Sequence, residues 1–327
     1  MISLKDSFGR TIDYLRVSLT DKCNFRCRYC MPMEGVKRVE HGEILTLEEL
    51  ERIVRVMAQM GIRKVRLTGG EPLVRKNVIK LVEGIRGIAG IDEIAMTSNG
   101  SLLGSYAGAL KEAGLDSVNI SLDTLKRENF ISITGQDALE DVLLGIRSAL
   151  ETGMTVKINC VPVKEWNGCE IEEIAAFAKE YPLDVRFIEL MPIGCGKDYT
   201  GISSDELLQR LEERYGNGIA EEKTPSFEGP AQYYRFDGFR GRVGLISPMS
   251  HKFCKDCRRI RLTAEGYLKL CLQYSYGVDL RGPMRRGCTD EELMHIIRGA
   301  VKEKPKEHDM GEEHADEEQR KMVQIGG

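Results

Sequence analysis

From residue 13 to residue 190, short runs rich in β-branched residues alternate with longer stretches whose apolar positions recur every three or four residues. That alternation predicts repeated βα units around a parallel sheet. The predicted strands are 13–18, 64–68, 93–98, 117–122, 155–161 and 185–190. The clearest helix spans 47–60, where Thr46 and Glu49 form a capping box and Gly61 a stop. Six such units are too few for a closed eight-fold barrel, so the fold class is α/β, a partial (βα)6 TIM-like barrel with its reactive groups at the carboxyl ends of the strands. The segments that follow predicted strands, 20–33, 69–72, 97–100, Asp123 and 191–195, carry the most distinctive chemistry of the chain. Past residue 216 the pattern changes to short Gly- and Tyr-containing runs at 232–236 and 242–246, then a cysteine cluster. This predicts a smaller C-terminal α+β domain, with boundaries at 1–215 and 216–327. From Lys302 onward the chain is strongly charged, the composition of a solvated tail, and it ends in Gly326 and Gly327.

With 327 residues, 42% hydrophobic and 30% charged, the chain can bury one large core and a smaller second one. Neither a charged-then-apolar leader nor an apolar run of about 18 residues is visible, so a soluble, cytoplasmic protein with no membrane association is expected. A net charge of -4 argues against nucleic acid as a partner. Of the ten cysteines, six fall into two tight clusters. In a reducing compartment such clusters read as metal ligands rather than disulfides. The other four, Cys160, Cys169, Cys195 and Cys288, read most simply as buried thiols.

Cys23, Cys27 and Cys30 are spaced C-x3-C-x2-C in a loop after a strand. Three thiolates so placed hold three irons of a four-iron cluster and leave the fourth open to a small molecule. A zinc site would ask for four tetrahedral ligands, and the nearest histidine, His41, is not at motif spacing. Cys254, Cys257 and Cys271 repeat the logic as C-x2-C-x13-C. Here a structural zinc ribbon completed by Cys288 stays an alternative. Between these cysteines stand Arg258, Arg259 and Arg261, with Lys252, Arg281, Arg285 and Arg286 nearby. Guanidinium forks pair bidentately with phosphate oxygens, so the group suits a polyanion such as a triphosphate.

The segment DKCNFRCRYCMP, with Gly69-Gly70-Glu71-Pro72 some forty residues later, resembles the signature of radical S-adenosylmethionine (SAM) enzymes. With KVRLT before that glycine pair, FCKDCRRIRLTAEGYLKLCL in the rear half and a terminal Gly-Gly, the chain is similar nearly throughout to the GTP 3',8-cyclase family of molybdenum-cofactor biosynthesis. The resemblance implies two [4Fe-4S] clusters, one on each cysteine trio, the second in the C-terminal domain, and SAM bound at the first. It implies SAM contacts at Tyr29, Gly70, Ser121 and Met191, and GTP contacts at Arg16, Arg66, Thr97, Lys157, Arg259, Ile260 and Arg261. It also implies a reductant, cyclic pyranopterin monophosphate synthase as the next enzyme, and a tail whose two glycines enter the active-site opening, and it leaves room for a homodimer. The family pattern has asparagine where this chain has Arg258. Rivals are a radical SAM enzyme that modifies a peptide and a non-catalytic iron–sulfur sensor.

Overall fold

A computed structural model describes residues 3–37, 39–221, 229–310 and 318–326. All six predicted strands are present: β1 Tyr14–Ser18, β2 Lys64–Thr68, β3 Glu93–Ser98, β4 Ser117–Ser121, β5 Thr155–Cys160 and β6 Asp184–Ile188. Between and after them lie α1 Leu47–Gln59, α2 Val78–Arg86, α3 Leu103–Glu112, α4 Arg127–Thr134, α5 Leu139–Glu151, α6 Ile171–Glu180 and α7 Ser204–Tyr215. Helix α1 begins where the sequence places it: Thr46 accepts from the Glu49 amide at 3.2 Å while Glu49 accepts from the Thr46 amide at 2.8 Å. It stops at Gly61, whose φ of 107° is open to glycine.

Each barrel strand has two faces. Leu15, Val17, Val65, Leu67, Ile94, Met96, Val118, Ile120, Val156, Ile158, Val185 and Phe187 belong to the buried apolar cluster that includes the helices. The alternate positions are polar and line a cavity: Tyr14, Arg16, Lys64, Arg66, Thr97, Asn119, Ser121, Asn159 and Arg186. Parallel strands covered on both sides normally read as continuous apolar runs. The period of two here therefore marks a lumen built to hold something polar.

The parallel run does not end with the six strands. The later strands are β7 Ile219–Ala220, β8 Gln232–Arg235, β9 Val243–Ile246, β10 Arg259–Leu262, β11 Tyr267–Lys269 and β12 Gly277–Asp279. β10 pairs parallel with β1, and β9 pairs parallel with β6. The sheet order is β12-β11-β10-β1-β2-β3-β4-β5-β6-β9-β8-β7, so the C-terminal segment extends both edges of the barrel sheet with strands of its own. Antiparallel hairpins then cap each side, and α8 Arg281–Arg285 and α9 Asp290–Lys302 follow. Among the described residues no helix is long and apolar enough to cross a membrane.

Candidate active site

A cavity of about 350 Å³ lies at the carboxyl ends of the parallel strands, and both cysteine trios line it. The front trio sits on the loop after β1. That loop is clamped by the glycine pair that follows β2: the Gly70 amide donates to the Thr20 carbonyl at 2.7 Å and the Glu71 amide to the Lys22 carbonyl at 2.8 Å. A Cβ on Gly70 would stand 2.3 Å from the Lys22 carbonyl oxygen, so the approach requires glycine. Glu71 accepts from the Leu73 and Asn99 amides and the Ser98 hydroxyl at 2.7–3.0 Å, and burial pushes its carboxyl up to about 7 despite those bonds. Tyr29 donates to Asp123 at 2.7 Å, and burial lifts the Asp123 carboxyl to about 6.

Burial also lifts the front thiols, Cys23 to about 11, Cys30 to about 12 and Cys27 well above its ordinary value. Left alone they hold their protons. A thiophilic iron centre supplies the positive charge that a thiolate needs in such a place, and the donor set, three sulfurs on one wall, fits a cube with one corner free. At the rear, burial raises Cys254, whereas Cys257 is drawn down to about 6, its burial outweighed by the charges of Arg259 and Lys304. Cys288 is not on the cavity wall; its carbonyl accepts from Arg52 on the α1 side, so it does not complete the rear trio. Among the described residues no three side chains of His, Cys, Asp or Glu converge at the distance of a single metal ion.

The wall between the trios is cationic. The register aligns Arg261, Arg16 and Arg66 in one row across β10, β1 and β2, with Arg259, Tyr14 and Lys64 in the adjoining row. Burial and the charges of Arg261, Arg66 and Arg259 pull Arg16 well below an ordinary guanidinium, and Arg261 is drawn down to about 10, by burial first and then by Arg259. Tyr14 shows the same field from the other side: burial pushes its phenol up, but Arg66, Arg16 and Lys64 outweigh that and bring it to about 7. So much positive charge in a half-closed cavity calls for a polyanion.

The tail enters this wall. The Gly326 carbonyl accepts from Thr68 at 3.1 Å, Arg261 at 3.3 Å and Arg16 at 3.5 Å. Gly326 has φ of 81°, and a Cβ there would lie 3.0 Å from the Thr68 hydroxyl and 3.1 Å from the Ser18 Cβ. Gly327 lies outside the described residues.

Of the residues the family resemblance singles out, Tyr29, Gly70, Ser121, Met191, Arg16, Arg66, Thr97, Arg259, Arg261 and all six clustered cysteines line the cavity. Two do not. Lys157 hydrogen-bonds the Tyr233 hydroxyl at 3.1 Å and pairs with Asp184 at 3.4 Å. Ile260, between two inward arginines, points outward and is fully buried in the core. Arg258 pairs with Asp13 and is not on the cavity wall, so the departure from the family pattern stays outside the site. Cys169 corrects the reading of four buried thiols: it is exposed, on the loop before α6, with the Lys126 ammonium 3.8 Å away, while Cys195 and Cys288 are half-buried. Motif reading missed Tyr14, Lys64, Asn119, Asn159, Arg186, Lys304 and His308 on the same wall. Strand parity identifies the first five; Lys304 and His308 come from the stretch after α9, which composition assigns to solvent.

Residues 17–178 match the family model described as Radical SAM superfamily, and residues 183–310 the one described as Molybdenum Cofactor Synthesis C. A GTP 3',8-cyclase of Clostridium perfringens (strain 13 / Type A) is 47% identical over 324 residues, covering 99% of this chain and 100% of the relative. A second, from Moorella thermoacetica, is 47% identical over 331 residues with 99% and 100% covered. Streptococcus suis SuiB bound to its precursor peptide SuiA shares the fold, with a TM-score of 0.60 at 15% identity over 89% of this chain and 67% of that one. On the strength of the full-length likeness the chain belongs to the GTP 3',8-cyclase family of radical SAM enzymes.

Proposed function

We propose that this protein converts GTP to 3',8-cyclo-7,8-dihydro-GTP, the first step of molybdenum-cofactor biosynthesis, with release of 5'-deoxyadenosine and methionine. The observation that carries the reading is one cavity lined by two cysteine trios with a row of arginines between them. Cys23, Cys27 and Cys30 hold the front [4Fe-4S] cluster, and Cys254, Cys257 and Cys271 the rear one. When bound, the front cluster and SAM supply the one-electron cleavage that leads to hydrogen abstraction at the ribose 3' carbon.

Everything else is the chain's own work. Gly70 brings backbone to the front pocket without a side chain in the way, Tyr29 is held at its edge by Asp123, and Ser121 and Met191 close the SAM subsite from the ends of β4 and β6. Arg16, Arg66, Arg259 and Arg261 grip the triphosphate, and Thr97 faces it from β3. Ile260 acts only by keeping Arg259 and Arg261 inward, and Lys157, on the inward face of β5 but toward its amino end, acts through Asp184 and Tyr233. Two ligands fixed at opposite ends of one cavity set the reacting carbon against the attacking group and keep water from competing. The Gly326 carbonyl orients Arg16 and Arg261 together. A low-potential reductant supplies the electron, and cyclic pyranopterin monophosphate synthase consumes the product.

Anaerobic reconstitution followed by incubation with GTP, SAM and a strong reductant, with mass analysis of the nucleotide, tests the reading. A cyclised, isomeric triphosphate formed with 5'-deoxyadenosine is the expected result. Unaltered GTP beside 5'-deoxyadenosine release that only a peptide panel stimulates would overturn it in favour of a peptide substrate.

A further inference from the structure

The loop that carries the front trio has two sides. Cys23, Phe25, Cys27 and Tyr29 line the cavity, whereas Lys22, Asn24, Arg26 and Arg28 between them do not. Lys22, Asn24 and Arg28 are exposed and Arg26 is half-buried. The alternation sets the thiols inside and cations behind them, with Arg28 next to Cys27 and two residues from Cys30.

This outer side is held in place. The Arg26 and Arg28 amides donate to the Thr134 and Ile133 carbonyls, at the end of α4, at 2.7 and 3.0 Å. The Arg26 guanidinium donates to the Cys23 and Phe25 carbonyls, each at 2.8 Å. The Val39 amide donates to the Asp21 carboxylate at 2.8 Å, so the stretch that holds Lys37 returns to the start of the loop. Met33, 52% exposed, lies against the same side: its Cε is 3.2 Å from where a Cβ on Gly135 would stand, and the Arg26 Cβ is 3.4 Å from that point.

Residues 22–37 hold four cations, Lys22, Arg26, Arg28 and Lys37, against one carboxylate, Glu34, in a chain of net charge -4. Among the described residues no carboxylate pairs with Lys22, Arg28 or Lys37. Arg281 and Arg285, by contrast, are spent on Glu43 and Glu49. Surface cations are ordinarily just solvated, and what distinguishes these is their place. A cavity of about 350 Å³ admits small molecules and no protein, so a protein that delivers an electron to the front cluster works from outside, and the ligating loop itself is the direct route.

We propose that the outer side of the front loop, Lys22, Arg28 and Lys37 together with Met33, docks an acidic one-electron carrier protein that reduces the front cluster. The assignment rests on the reading that Cys23, Cys27 and Cys30 hold that cluster. In the transfer the reduced centre of the carrier loses one electron and the front cluster gains it; no bond breaks and no proton moves. Electron-transfer partners meet weakly, over less than about 1,200 Å² in total, and opposite charge sets their encounter rate. An exposed methionine adds an adaptable apolar contact.

The test is stopped-flow reduction of anaerobically reconstituted enzyme in the presence of SAM. Three reductants are compared: an acidic flavodoxin in its hydroquinone form, followed by the semiquinone it leaves, and dithionite and reduced methyl viologen, small molecules of opposite charge that need no docking face. With the flavodoxin, Lys22→Glu combined with Arg28→Glu should lower the second-order rate about tenfold or more at low ionic strength. Added salt should slow wild type and narrow the gap. Glu34→Gln, which removes the one carboxylate of the patch, should speed the same reaction. Both variants should keep about eight irons, and the small reductants should shift only slightly and in opposite directions. A charge-reversed variant that the flavodoxin reduces as fast as wild type, or one slowed equally with all three reductants, overturns the docking assignment and leaves the cyclase reading standing. So does a wild type that dithionite reduces and the flavodoxin does not. If reconstituted wild type given dithionite and SAM releases no 5'-deoxyadenosine, the cyclase reading itself fails.

Discussion

Replacing Glu318 with glutamine should free the C-terminal segment from the barrel while leaving the barrel folded. Glu318 has a side-chain exposure of 2% and meets Lys269, whose side chain is fully buried and whose ammonium, among the described residues, otherwise donates to the Tyr274 carbonyl at 2.6 Å. Arg320 adds two bonds to the same carboxylate at 2.9 and 3.0 Å. Burial alone would push the Glu318 carboxyl up, but Arg320 and Lys269 outweigh it and hold it below the usual range, so the pair is ionised at neutral pH. Removing one partner of such a pair costs about 3–5 kcal/mol, because the other charge is left buried and unmatched. Arg320 is 28% exposed and regains water, which favours the lower end, about 3 kcal/mol, or a factor of roughly 150 in population. Besides that pair, 318–326 is held by the Glu318 amide on the Gln273 carbonyl and the three bonds to Gly326, each worth about 1 kcal/mol net, by the buried Val323 and Ile325 side chains, and by Arg320 against Glu265 and the Tyr267 ring. Hydrogen exchange read by mass spectrometry on the C-terminal peptide should show the Gln324 and Ile325 amides, bonded at 2.9 and 3.2 Å, exchanging about a hundredfold faster. SAM cleavage should continue while cyclised product falls. The double change Lys269→Met with Glu318→Leu, which removes both charges, should restore most of the protection. Exchange as slow in Glu318→Gln as in wild type, or protection lost across all barrel strands, would refute the reasoning.

Arg261→Ala should raise the Kd for GTP by a factor of about 10 to 100, the worth of a charge-assisted phosphate contact, and leave guanosine binding unchanged; equal weakening of both would remove Arg261 from the phosphate subsite. Arg261→Lys should recover only part, since an ammonium lacks the bidentate fork. Tyr14, depressed to about 7, is anionic above that pH only because cations surround it, so a bound triphosphate and the phenolate compete for the same charge. GTP binding should therefore take up a proton near pH 8 and weaken as pH rises through 7, and Tyr14→Phe should flatten this dependence; ultraviolet titration of the phenol with and without GTP checks the sign. The same depression adds folding stability that is complete above the unfolded phenol's pKa and lost as pH falls through 7. Gly70→Ala, whose Cβ would meet the Lys22 carbonyl at 2.3 Å and the Cys23 amide at 2.9 Å, should displace the front loop and cost about four of about eight irons while the rear cluster's signal persists. Full iron content in that variant would show that the loop adapts.

Much of the fold was legible because helix and strand signals agreed along the first two hundred residues. Strands β2 and β3 span the residues read from the pattern, and the Thr46 and Glu49 cap is present with both of its bonds. The flanking strands were less legible. β10 holds only four residues, Arg259–Leu262, and β9 another four, Val243–Ile246, and nothing local says that two strands so close in sequence join opposite edges of one sheet. That is decided by which edges the six-strand sheet leaves unpaired, a property of the assembled barrel. The tail misleads for a similar reason. A stretch as charged as the one beginning at Lys302 reads as solvated, yet Lys304, His308 and Glu318 are each more than nine-tenths buried, because their partners are carbonyls and charges supplied by distant parts of the chain.

Parity decides what the motifs alone leave undivided. The segment Arg259, Ile260, Arg261 reads as one basic unit, but a strand sends neighbours to opposite faces, so it delivers two guanidiniums to the lumen and one isoleucine to the core. Those two guanidiniums become a site only through register: Arg261 lies opposite Arg16, which lies opposite Arg66, on strands about 4.8 Å apart. At that spacing neighbouring charges repel by about 3 kcal/mol in a half-screened environment. A shift of one residue in the β1–β10 pairing would bring Ile260 level with Arg16, relieve the repulsion and dismantle the row. The hydrophobic face forbids the shift, since it would turn Ile260 and Leu262 out of the core where both are buried. The apolar residues of β10 thus hold the arginines in an arrangement that charge alone would abandon, and the energy stored in that row is what a polyanion relieves on binding.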